Sequence, residues 1–201
     1  MKIIIITGPS CSGKTRLSQD LKKLFKDSFL IKTDSYYRDD ILIKIKSIFI
    51  DDIYDRLKSI KIKAISKTIS SIIQKDNTAI FYNYDFRTKY SSRILKNIKH
   101  SYNSRFLIIE GIFSHRLDLN YSETINIICK ENKEICYQRR LIRDEKERDR
   151  NINEVNRKFD KSWDLYYKEL GNYINNNKVI RVNTSNRKSL GKLINTLKGY
   201  L

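Results

Sequence analysis

Ile3-Ile4-Ile5-Ile6-Thr7-Gly8-Pro9-Ser10-Cys11-Ser12-Gly13-Lys14-Thr15 is the stretch that decides the fold. Four consecutive isoleucines read as a strand buried on both faces, as in the centre of a parallel sheet. The residues after them spell G-x-x-x-x-G-K-[ST], with Gly8, Gly13, Lys14 and Thr15 at the fixed positions of a phosphate-binding loop. A helix-like run, TRLSQDLKKLF, follows at once. The amides of Gly8, Pro9, Ser10, Cys11, Ser12 and Gly13 (Pro9 contributing only shape) and the helix N-terminus behind them suit phosphate oxygens. Lys14 is expected to reach the β- and γ-phosphates, and the Thr15 hydroxyl to hold Mg²⁺. A chance match has odds on the order of one in a hundred at average residue frequencies. The chain holds only 6 Gly, two of them here.

A length of 201 residues fits one domain, 1–201, with a core of its own. Apolar residues at 40% and aromatics at 11% suit a soluble globular chain, and no run has the length of a membrane helix. The first strand starts at once, which leaves no room for a signal peptide. Three cysteines and two histidines give neither a metal spacing nor a disulfide framework, so a reducing cytoplasm is expected. The net charge of +18 has two readings. One is a nucleic-acid surface. The other, favoured because Lys and Arg are spread along an Ile-, Lys-, Asn- and Tyr-rich chain, is compositional drift plus a phosphate-handling site.

Strand-length apolar runs recur at Ile3–Ile6, Phe29–Ile31, Thr78–Phe81, Phe106–Ile109, Thr124–Cys129 and Val179–Val182. Helical periodicity marks Thr15–Phe25, Leu57–Gln74, Lys133–Arg143, Asn153–Tyr173 and Arg187–Leu197. Their alternation predicts an α/β fold with a parallel sheet covered on both faces, and places ligands at the carboxyl ends of the strands.

Those strand ends carry the candidates. Asp34, in Thr33-Asp34-Ser35-Tyr36-Tyr37, is either a base beside Mg²⁺ for an acceptor hydroxyl or a helix cap. Glu110 closes FLIIE and is a candidate Mg²⁺ contact. No GTPase base-recognition tetrad follows, since Asn132-Lys133-Glu134-Ile135 lacks the closing Asp. Arg139 and Arg143 share a helix face with no acid preceding them in the same turns. A mobile arginine helix there would balance charge on a transferring phosphoryl group, the alternative being a solvated helix in which Asp144, Glu145 and Glu147 pair with the arginines. Arg148 and Arg150 fit either description. Asn83-Tyr84-Asp85-Phe86 can stack on a base and hold a sugar hydroxyl, or be core edge and cap.

In order along the chain, GPSCSGKT at 8–15, TDSYYR at 33–38, YDF at 84–86, EGI at 110–112 and RRLIRDEKER at 139–148 resemble the motifs of the uridine kinase family. That resemblance implies a three-layer P-loop kinase fold with a five-stranded parallel sheet, helices on both faces and a helical lid at about 136–155. It implies ATP, the choice between ATP and GTP being left open by the sequence, Mg²⁺ at Thr15, Glu110 and Asp34, and Asp34 as catalytic base. It also implies lid roles for Arg139 and Arg143, a nucleoside pocket lined by Tyr37 and Tyr84, a small-molecule acceptor and often a homo-oligomer; composition and the spread of charge speak against membrane and nucleic acid as partners. Two departures stand out. The family's ribose-holding acidic segment has its nearest counterpart in Phe49–Asp55, where Asp51 or Asp52 is the candidate. The histidine that reads the pyrimidine is replaced near Lys89.

Overall fold

The computed structural model describes residues 1–50, 53–101, 105–117, 119 and 124–200. In chain order the strands are β1 Lys2–Thr7, β2 Phe29–Lys32, β3 Thr78–Asp85, β4 Tyr90–Asn97, β5 Phe106–Glu110, β6 Thr124–Lys130 and β7 Val179–Asn183. The helices are α1 Lys14–Leu24, α2 Ile41–Phe49, α3 Ile62–Ile73, α4 Lys133–Arg148, α5 Ile152–Asn176 and α6 Arg187–Lys198. Five strands make one parallel sheet in the order β2-β5-β1-β6-β7.

The isoleucine run lies in the middle of that sheet. Ile3 and Ile5 point into one layer with Leu107, Ile109, the α3 residues Ile65, Ile69 and Ile72, and Tyr166 and Leu170 of α5. Ile4 and Ile6 point into the other, with Phe106, Ile108, Leu17 and Leu21 of α1, and Leu193 and Leu197 of α6. The helices bury residues three and four apart because that spacing repeats on one face of a 3.6-residue turn. Asn132, Asn151 and Asn186 cap α4, α5 and α6 by accepting bonds from backbone N–H groups, which fixes where those helices begin.

Three features differ from what the sequence predicts. Thr78–Phe81 is not a strand of the parallel sheet. It starts the longer β3, which pairs antiparallel with β4 as a separate hairpin against α3. Of the eight residues of β3 only Ala79 and Tyr84 are buried, and being five apart they point to opposite faces, so neither face is covered along its length as in a central strand of a parallel sheet. The helix expected over 57–74 begins at Ile62, and Leu57–Ser59 is a short 3₁₀ turn. Finally, α2 is a helix that the sequence reading does not mark: its apolar residues at 41, 42, 45, 48 and 49 have helical spacing, but over only nine residues rich in β-branched isoleucine.

Candidate active site

The chain crosses from one half of the sheet to the other around β1, and the carboxyl ends of β1, β2, β5 and β7 converge on a cleft of about 670 Å³. The loop after β1 forms one wall. Cys11 at φ 65° and Gly13 at φ 87° are in the left-handed region and turn successive amides inward. A Cβ on Gly13 would lie 2.8 Å from Cβ of Thr184, so glycine is required by space as well as by φ. Thr184 in turn donates to the Ser12 carbonyl at 2.7 Å. Helix α1 starts at Lys14 with no acid in its first turn, leaving its positive end facing the loop. Lys14 is buried, and its Nζ donates to the Pro9 carbonyl at 2.9 Å.

Register places the carboxylates. β2 pairs with β5 so that Lys32 sits beside Glu110, and two residues later Asp34 arrives over Gly111. A Cβ on Gly111 would be 3.0 Å from Cβ of Thr33 and 3.2 Å from Oδ1 of Asp34. The 3₁₀ turn Thr33–Tyr36 carries Asp34 in its first turn, and no side chain caps it. Instead Thr33 Oγ1 donates to Asp34 Oδ1 at 3.5 Å, the outer limit for such a bond. The Thr15 hydroxyl donates to Oε1 of Glu110 at 3.2 Å. Burial raises the Glu110 carboxyl to about 7, the Asp34 charge adds to the rise, and Lys14 opposes it. Two carboxylates and a hydroxyl are thus packed beside one ammonium, a set of hard oxygen donors that fits a small divalent cation. Among the described residues no three acidic, cysteine or histidine side chains converge, so such an ion would complete its shell with water and phosphate oxygens.

The opposite wall is basic. Arg139, Arg140, Arg143 and Arg148, all on α4, line the cleft. They are better neutralised than the sequence suggests. Arg139 pairs with the buried Glu131 at 3.2 Å, and also bonds the Cys11 carbonyl at 3.3 Å and Ser185 at 3.1 Å. Glu131 lies before α4 in sequence and reaches Arg139 from the end of β6, a contact helical spacing does not show. Asp144 is fully buried among Arg143 at 2.6 Å, Arg150 at 3.0 Å, and Arg140 and Arg148 at 3.5 Å. Burial opposes the Asp144 charge, but the surrounding guanidinium groups win and hold its carboxyl below the usual range. Arg148, desolvated and next to Arg143, is pulled down to about 10.

At the far end of the cleft Tyr37 is the hub of an aromatic group. Tyr84, Phe86, Tyr54 and Phe113 lie 5.3, 5.7, 5.9 and 6.4 Å from it between ring centroids. The Arg148 guanidinium sits 3.8 Å above the Phe86 ring. Burial raises both the Tyr37 and Tyr84 hydroxyls above their ordinary range. Asp85 does not face this pocket. It accepts from the backbone N–H of Arg87 and Thr88, at 2.8 and 3.2 Å, and caps the hairpin turn. Asp55, the last residue of the acidic segment in which Asp51 or Asp52 is the sequence candidate, lines the cleft beside Tyr37 and Arg148. Asp51 and Asp52 lie outside the described residues. The structure therefore brings Lys14, Thr15, Asp34, Tyr37, Glu110, Arg139, Arg143 and Arg148 to one cleft and its base, and adds Asp55, Thr184 and Ser185.

Comparison with known proteins agrees with this arrangement. A family model described as "Phosphoribulokinase / Uridine kinase family" matches residues 3–180. Among solved structures, the YGR205w protein aligns over 90% of this chain and 85% of its own, with TM-score 0.60 and 14% identity. A protein described as a possible uridine kinase from Bacillus stearothermophilus aligns over 83% of this chain and 81% of its own, with TM-score 0.53 and 15% identity. A comparison with curated protein sequences finds no match. At those identities the solved structures speak for the fold, and the family model, spanning nearly the whole chain, speaks for the class of chemistry. A phosphate loop, acids at the ends of β2 and β5, and an arginine helix across the cleft complete the picture: the chain belongs to the phosphoribulokinase/uridine kinase family, P-loop kinases that transfer phosphate from ATP to a small alcohol.

Proposed function

We propose that this kinase phosphorylates the 5′-hydroxyl of a nucleoside, with uridine or cytidine as the leading acceptor. The observation that supports this most is the shared cleft, in which Asp34 stands between the phosphate loop and the aromatic group around Tyr37. An aromatic wall suits the face of a base, and Tyr84 and Asp55 offer polar contacts to a sugar. ATP enters against the loop, where Lys14 and the amides from Gly8 to Thr15 hold its phosphates, and GTP is a second donor to test. Asp34 accepts a hydrogen bond from the acceptor hydroxyl, orients it for in-line attack and takes its proton. Thr15, Glu110 and Asp34 would hold Mg²⁺, which when bound offsets charge on the phosphate oxygens. Arg139 and Arg143 supply cations beside the transferring group. Residues 136–155, nearly all of α4 and the start of α5, act as a lid over it. Arg148 and Arg150, engaged with Asp144, shape the acceptor end.

The test is a coupled ADP-release screen against uridine, cytidine, other small alcohols and 5′-hydroxyl oligonucleotides. The expected result is turnover with pyrimidine nucleosides and a loss of about 10²-fold or more in Asp34→Asn with ATP binding retained. Activity confined to oligonucleotides, or rising with their length and falling steeply with salt, would replace this reading with that of a polynucleotide kinase. Near-normal turnover in Asp34→Asn would remove Asp34 from its role.

A further inference from the structure

Helix α2 has no part in the cleft and presents an apolar face to solvent. Ile41, Leu42, Ile45, Ile48 and Phe49 are between 48% and 81% exposed. Ile43 is the one buried residue of the helix. At 100° per residue the five exposed side chains fall within an arc of about 120°, with Ile43 on the far side. Lys44 and Lys46, both exposed, flank the arc, one on each edge. A contiguous stripe of five large apolar groups exceeds the scattered exposure normal for a protein surface and marks a contact site. The helix itself is well made: Asp40 caps it by accepting from the Ile43 N–H at 3.2 Å, and Ile50 closes it onto the Lys46 carbonyl.

We propose that α2 lies on an anionic bilayer surface, its apolar stripe among the acyl chains and its two lysines level with the headgroups. Two observations favour this occupant. The first is the flanking geometry, in which each lysine can bury its methylene stem along the stripe while its ammonium stays among phosphates. The second is charge. The chain carries a net +18, which draws it to an anionic surface, and α2 contains no acid. The two acids that precede the helix are already engaged, Asp40 with Arg38 at 2.7 Å and Asp39 with Lys61 at 2.9 Å, while Asp51 and Asp52, which follow it in sequence, lie outside the described residues. A second copy of the chain fits less well. A two-fold contact centred on the stripe sets the lysines of one helix against those of its mate, between two molecules of the same large charge. No helix among the described residues is long and apolar enough to cross a membrane, so this is attachment in the plane of the surface.

Sedimentation of the full chain with vesicles tests the assignment. One set is phosphatidylcholine alone and the other contains about one-third phosphatidylserine, matching the anionic lipids such helices meet. The expected result is binding to the anionic set only, weakening several-fold as salt shrinks the Debye length from about 10 Å to about 3 Å. Ile41→Gln/Ile45→Gln keeps charge and helix propensity but removes apolar contact, and should bind about tenfold or more weakly. Its kinase activity in lipid-free solution should be unchanged, which shows that the fold is intact. Three results would overturn the proposal. They are no preference for anionic vesicles, equal binding by the double variant (charge alone then drives attachment), or a concentration-dependent dimer in sedimentation velocity that the double variant abolishes.

Discussion

Replacing Asp144 with asparagine removes one charge and almost no volume from the centre of the basic wall. The wild-type carboxylate is inaccessible to solvent and is met by Arg143 at 2.6 Å, Arg150 at 3.0 Å, and Arg140 and Arg148 at 3.5 Å. The guanidinium side chains are themselves largely buried, from 4% exposed for Arg140 to 25% for Arg143. At an effective dielectric of about 20, a pair with charges about 4 Å apart gains about 4 kcal/mol. Mutual repulsion among the four cations and the cost of drying them consume most of that gain. Deleting the acid removes the attraction and leaves the repulsion. Breaking a buried pair in this way costs about 3–5 kcal/mol, here reduced by whatever Arg143 and Arg150 recover by turning outward. Urea unfolding followed by the fluorescence of Trp163 measures the loss, because Trp163 packs beside Phe159 on α5, the helix against α4. A second readout separates electrostatics from packing: sulfate should stabilise Asp144→Asn more than the wild type, since an anion can replace the missing charge. A variant within about 0.5 kcal/mol of wild type, with the same response to sulfate, would show that the arginines are held by something other than Asp144.

Glu110→Gln should separate stability from activity. Burial and the Asp34 charge raise the Glu110 carboxyl to about 7, so its ionised form is costly to the fold, and the neutral amide should stabilise the protein by about 1–3 kcal/mol at pH 8 while turnover falls tenfold or more. Lower stability in calorimetry would contradict the assignment of that cost. Gly13→Ala must place a Cβ near Thr184 at a φ of 87°, and should lose about 2 kcal/mol of stability together with ATP affinity, read by isothermal titration. His115 is buried, with Nδ1 2.9 Å from the Thr7 hydroxyl, and burial followed by the charge of Arg116 lowers it to about 4. Its unfolded form binds a proton near 6.5, so the native state loses stability as pH falls below that value, by about 2 kcal/mol at pH 5. His115→Gln should flatten the dependence of the urea midpoint on pH between 7 and 5. An equally steep fall in the variant would assign the effect to other groups.

What was legible in the sequence depended on local chemistry. The isoleucine run, the glycine spacing and the lysine that follows specify β1, its loop and α1, all between Lys2 and Leu24, because each needs only its neighbours. The same holds for Glu110, which closes an apolar strand. The aromatic end of the cleft was not legible, because distant segments build it. Thr78–Phe81 has the composition of a sheet strand, yet it lies outside the five-stranded sheet, with β4 pairing one edge of β3 and the Thr68 hydroxyl of α3 donating to its Ile80 carbonyl at 2.6 Å. Pairing with β4 is what carries Tyr84 and Phe86 to Tyr37, some 50 residues away in sequence. The arginines show the converse. Helical spacing placed Arg139 and Arg143 on one face, but their partners are Glu131 on the strand side and Asp144 one residue on, so their charge is partly spent before a phosphate arrives. The hairpin and the arginine helix are also joined. Arg87 donates to the carbonyls of Glu147 at 3.2 Å and Lys146 at 2.6 Å, at the end of α4. If α4 closes over the phosphates as proposed, these two bonds favour movement of the hairpin turn with it, which would couple Tyr84 and Phe86 on one wall of the cleft to Arg139 and Arg143 on the other.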